Sequence, residues 1–168
     1  MHNCAKTVLI IFTTLAFSPY GFAKYGDYKT IDESDNINDT TIHYYIKNLT
    51  SEELTLSRPS QKQTDRGNAI SDFTVPINAV LNFPTHYPEP FRSITRDNPR
   101  ILTETFAYAS GKKECQFTAT IKVTDLLKPA HWSGNGKSIG VEPADCTTDI
   151  FEVISTLPYS YSIQFSLE

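Results

Sequence analysis

The stretch Lys128 to Asp145 holds the chain's only tryptophan, Trp132, with Asn135 and Lys137 close behind it. An indole face, an amide and an ammonium group are parts that sugar or peptide recognition uses: a ring to stack on, a donor–acceptor pair and a cation. The competing reading is that Trp132 folds back over the end of a core and the glycines beside it only provide slack. The segment is rich in Gly, Pro, Ser and Asn and reads as a long connection, of the kind that often carries function. Gly134-Asn135-Gly136-Lys137-Ser138 invites comparison with a phosphate-binding loop. It fails on spacing, because His131 stands where the first glycine is required. Ile139-Gly140-Val141-Glu142-Pro143 also cannot begin the helix that must follow.

Other chemistry is thinner. His43, His86 and His131 are far apart and in no ligand spacing, so zinc would require three strand ends to converge. An acidic run from Asp32 resembles a calcium loop only loosely. Ile37 occupies the glycine position and no carboxylate closes the loop. No cofactor or metal is therefore expected. Serines are plentiful, yet none sits in a Gly-x-Ser-x-Gly turn. Tyr45, Tyr87 and Phe91 make a modest candidate patch for partner contact: Tyr44, Tyr108, Tyr159 and Tyr161 fall on inward-facing positions, which turns Tyr45 outward. Asn38-Asp39-Thr40 and Asn48-Leu49-Thr50 match the N-glycosylation pattern.

The segments that must position these groups begin after a targeting sequence. Met1 to Lys6 carries one positive charge, Thr7 to Phe17 is apolar, and Gly21-Phe22-Ala23 ends in a cleavage-site pattern. The apolar run is far short of the roughly 20 residues a membrane span needs. Residues 1–23 read as a cleaved secretory signal, and Cys4 precedes the apolar run, which argues against a lipid anchor. Removing those 23 residues leaves 145 of 168 and moves the net charge from −4 to −5, because Lys6 is the only charge lost. That length suits one domain. Mild acidity gives no support to nucleic-acid or anionic-membrane binding. The mature chain keeps two cysteines, Cys115 and Cys146, which in an exported protein are most simply a disulfide.

Residues 24–40 form an acidic arm without apolar periodicity, expected to be flexible, and 41–168 form the domain. Cys115, Phe117, Ala119, Ile121 and Val123 alternate with polar residues, the pattern of a half-buried strand. Residues 101–124 read as a hairpin turning at Ser110-Gly111-Lys112-Lys113, and Leu102, Phe106 and Tyr108 share a face on which Glu104 is the one polar entry. Ile42, Tyr44 and Ile46 mark another strand, which Asn48 to Ser51 would turn into a second hairpin with Leu54 and Leu56. Pro76 interrupts the short β-like pieces of Ile70 to Phe83, which marks an edge or bent strand, and Pro84 to Pro90 is stiff and extended. The last strand alternates from Tyr159 to Leu167. About seven to eight strands without a helix predict an all-β fold, a single antiparallel β-sandwich, immunoglobulin-like or jelly-roll-like, with one disulfide; a β-barrel is the alternative.

These readings converge on an exported, secreted or periplasmic, non-enzymatic binding module. It would recognise a protein or carbohydrate partner outside the cytoplasm through loops at the sandwich ends. No nucleic acid and no transmembrane segment after signal cleavage are expected. A secreted hydrolase with a site assembled across strands, or a membrane-active toxin-like β-protein, are the alternatives.

Overall fold

The computed structural model describes residues 38–59, 74–92, 94–95 and 98–168. The signal segment, most of the acidic arm with its calcium-like run, and nearly all of the polar loop 59–68 lie outside the described residues. Among the described residues the regular structure is entirely strand: β1 (Thr40–Asn48), β2 (Leu54–Arg58), β3 (Thr74–Val75), β4 (Val80–Tyr87), β5 (Arg100–Ser110), β6 (Lys113–Val123), β7 (His131–Ser138), β8 (Cys146–Phe151) and β9 (Tyr161–Leu167).

The strands form two sheets, β4-β1-β9-β8 and β3-β2-β5-β6-β7, packed face to face as a β-sandwich. Alternation dictates which side of each strand is inside. In β6, Cys115, Phe117, Ala119, Ile121 and Val123 are buried, while the residues between them face outward. β9 is a central strand with Tyr161, Ile163, Phe165 and Leu167 on the inner face. Phe165 lies at the middle of the core, its ring centroid 4.9 Å from Phe117 and 5.3 Å from Phe106. Tyr44 joins the same cluster edge-on to Phe106 at 5.7 Å and brings in Phe83 at 5.3 Å. Aromatic side chains carry much of this core because each buries a large apolar area and tolerates offset or edge-on contact.

The hairpin expected over 101–124 is present as β5 and β6, in register from Arg100↔Val123 to Ser110↔Lys113. Gly111 sits in the turn with a φ of 56°, a conformation glycine adopts without steric cost. The disulfide Cys115–Cys146 is formed across 31 positions, with Cα atoms 5.8 Å apart, and ties β6 of one sheet to β8 of the other. Closing a loop of that length stabilises the fold by about 3–4 kcal/mol on a chain-entropy argument.

Three elements differ from the sequence reading. β1 and β2 are not a hairpin: they belong to opposite sheets, because the turn at Asn48 to Glu53 carries the chain over the top of the core. Pro76 to Ala79, where the chain passes from β3 in one sheet to β4 in the other, leaves both as edge strands, as the proline predicts. β1 pairs with β9 in parallel, from Ile42↔Tyr161 to Asn48↔Leu167, while the remaining pairs of named strands are antiparallel. The segment expected to be a long loop contains β7, paired with β6 along its whole length. Its glycines carry the reason. A Cβ on Gly134 would meet Ile163 Cδ1 at 2.7 Å, and one on Gly136 would overlap the Cys146 carbonyl. β7 therefore presses its backbone onto β8 and closes that edge of the sandwich, which apolar alternation could not reveal.

Candidate functional site

Trp132, Asn135 and Lys137 are strand residues on opposite faces of β7. Trp132 lies opposite Ile121 and points inward, its Nε1 donating to the Tyr159 carbonyl at 3.4 Å. Asn135 and Lys137 lie opposite Thr118 and Gln116 on the outer face. The three side chains do not converge on one ligand, and Trp132 closes the end of the core. The outer face they adjoin is a polar grid, with Thr103–Thr120 and Thr105–Thr118 hydroxyl contacts at 3.3 and 3.1 Å.

The aromatic patch also separates. Tyr45 faces outward and rests on Phe151, centroids 5.2 Å apart, so the two rings straddle β9. Phe91 is buried edge-on against Tyr159 at 5.6 Å. Tyr87 turns inward and donates to Glu104 Oε1 at 2.7 Å, with the Tyr44 hydroxyl at 3.4 Å. Glu104 is only 3% exposed, so the odd carboxylate on an apolar face is the anchor of a buried tyrosine cluster. Burial, reinforced by Glu104, holds the Tyr87 and Tyr161 phenols far above their ordinary range, and burial does the same for Tyr44.

The histidines divide between the two outer faces: His43 and His86 on β1 and β4, and His131 on β7. Among the described residues no three His, Cys, Asp or Glu side chains gather as metal ligands. His43 stands opposite Ser162 in the parallel register, and Glu152 is near both. Here the residue types of the hydrolase alternative lie near one another. The Ser162 hydroxyl donates directly to Glu152 Oε2 at 3.0 Å, and His43 Nε2 is buried without a hydrogen-bond partner. Serine and base are not joined, so the arrangement lacks the nucleophile–base contact that acyl transfer requires. Burial, then His86, lowers the His43 pKa below the usual histidine value, while Glu152 opposes them weakly.

A cleft of about 390 Å³ opens at the sandwich end where β1 leaves for β2. Thr50, Ser51 and Glu52 line it from the β1–β2 turn, Ser110 to Lys113 from the β5–β6 turn, and Glu142 from the β7–β8 connection. Its floor is rigid. Buried Asn48 donates from Nδ2 to the carbonyls of Glu52 and Val75 at 2.8 and 2.9 Å. Asn48 Oδ1 accepts from the Thr50 amide and hydroxyl at 2.9 and 2.8 Å. The Thr50 hydroxyl also lies 2.7 Å from Ser110 Oγ, which joins the two sheets. The rim carries both signs of charge: Lys112 pairs with Glu142 at 3.3 Å, with Glu52 and Lys113 beside them. In the sequence Asn48 to Ser51 and Ser110 to Lys113 read only as turns, since the passage of the chain from β1 to the other sheet is what brings the three connections together. Asn48 of the glycosylation pattern is fully buried, so in the folded chain its amide is structural.

No protein-family model and no curated protein matches the chain. The fold defines the protein as an all-β sandwich braced by one disulfide. Among the described residues no helix is long and apolar enough to cross a membrane.

Proposed function

We propose that this chain is an exported, non-enzymatic binding module that engages a protein partner at the cleft formed by its β1–β2, β5–β6 and β7–β8 connections. The observation that carries the reading is a polar cleft with a preorganised floor and a rim of lysine and glutamate. Preorganisation lowers the ordering cost of binding, and a rim of mixed charge selects a complementary charged surface. A glycan is the weaker candidate, since none of the described residues that line the cleft is aromatic and the only tryptophan closes the core. Export is supported by the signal pattern of residues 1–23 and by the formed disulfide.

The test uses the disulfide-intact full chain, immobilised and exposed to extracellular and envelope fractions of its source. Capture of a partner that Lys112→Glu/Lys113→Glu abolishes, and Lys137→Glu on the outer face leaves intact, supports the reading. Equal capture by the cleft variant with an unchanged melting temperature overturns it.

A further inference from the structure

At the end of the sandwich opposite the cleft, the β6–β7 connection presents two leucines to solvent. Leu127 is 94% exposed and Leu126 41%. They do not hang loose. The Leu127 amide donates to Asp125 Oδ1 at 2.9 Å, the Lys128 amide to the Asp125 carbonyl at 3.2 Å, and the Tyr159 hydroxyl to the Leu126 carbonyl at 3.3 Å. A short turn thus holds the pair outward as a protrusion. Beside it runs a cross-strand row on the outer sheet face, Ile101↔Lys122↔His131, in which Ile101 is 57% exposed. Arg100 and Lys128 flank the same strand ends, and all four basic side chains are exposed. Asp125 lies in the turn itself. Glu152 is engaged elsewhere, accepting from Ser162 on the outer face of the other sheet. The chain as a whole has a net charge of −4, yet among the described residues of this strip Arg100, Lys122 and Lys128 outnumber Asp125.

We infer that this strip docks peripherally on an anionic lipid surface, with Leu126, Leu127 and Ile101 entering the headgroup–acyl boundary and Lys122, Lys128 and Arg100 meeting lipid phosphates. A protein partner would need a pocket to receive a protruding apolar tip. A bilayer receives one without a fixed shape, and the cations around the leucines match the charge of its headgroups. The surface is separate from the cleft and does not depend on what the cleft binds.

Flotation of the exported chain, without residues 1–23, tests this with vesicles, comparing phosphatidylcholine containing phosphatidylglycerol with pure phosphatidylcholine. The expected result is binding to the phosphatidylglycerol vesicles that weakens as salt rises. Leu127→Asn weakens it about tenfold, the change for withholding one leucine from apolar surroundings. Its melting temperature is unchanged, because that side chain packs on nothing. Lys122→Glu/Lys128→Glu removes the preference for phosphatidylglycerol. The inference is overturned if the unaltered chain fails to float with phosphatidylglycerol vesicles, or if Leu127→Asn floats equally well.

Discussion

Asn48 shows how much one polar side chain can organise. Its amide satisfies two carbonyls and accepts from both the backbone and side chain of Thr50, all without exposure to water. Asn48→Ala leaves several of these buried groups unpaired and is expected to cost about 2–4 kcal/mol, read as a lower urea midpoint with unchanged slope. A Thr50→Val change should cost less, because only the hydroxyl contacts are lost. His43 makes a second residue-scale prediction. Its folded-state pKa is depressed, so below about pH 6.5 the unfolded chain takes up a proton that the folded chain resists. Stability should therefore fall on acidification through that range, and His43→Gln should flatten the slope. A slope identical in the variant would show that other groups set the acid limit.

At the scale of elements, β7 depends on what it lacks. Gly134 and Gly136 occupy inward positions opposite Ala119 and Phe117, where a side chain would strike β9 or β8. Gly136→Ala must push β7 away from the Cys146 carbonyl, and an overpacked site of this kind costs about 1–3 kcal/mol. Asn135→Ala, one position away on the outer face, should be nearly neutral. Thermal melts of the two variants make the comparison, and equal melting temperatures would contradict the close packing of β7 on β8. The same element explains why a Gly-rich strand looks like a loop in sequence. Strand signals rest on apolar alternation, whereas at β7 the inward positions must be empty. By contrast, the 101–124 hairpin and the β9 strand were legible because their inward positions hold bulky side chains at regular spacing.

Across the whole molecule, the tyrosine cluster ties stability to high pH. Burial holds the phenols of Tyr44, Tyr87, Tyr108 and Tyr161 above their ordinary value, with Glu104 adding to the effect at three of them. An unfolded chain releases these protons above about pH 10 while the folded chain retains them, so stability declines as pH rises past that point. In an absorbance titration these four phenols are expected to ionise together with the loss of folded circular dichroism. Smooth ionisation of every tyrosine near pH 10 in a folded protein would refute the cluster. Here the division between sequence and structure is physical. Period-2 alternation, the absence of helical periodicity and an even pair of cysteines in a chain with a signal pattern were enough for the sandwich and its disulfide, because strand faces and thiol chemistry are local properties. The separation of Trp132 from Asn135 and Lys137, the inward turn of Tyr87, the burial of Phe91, the parallel pairing of β1 with β9 and the cleft beside Asn48 depend on which sheet each strand joins. That choice is made by contacts between residues distant along the chain, and only the tertiary structure decides it.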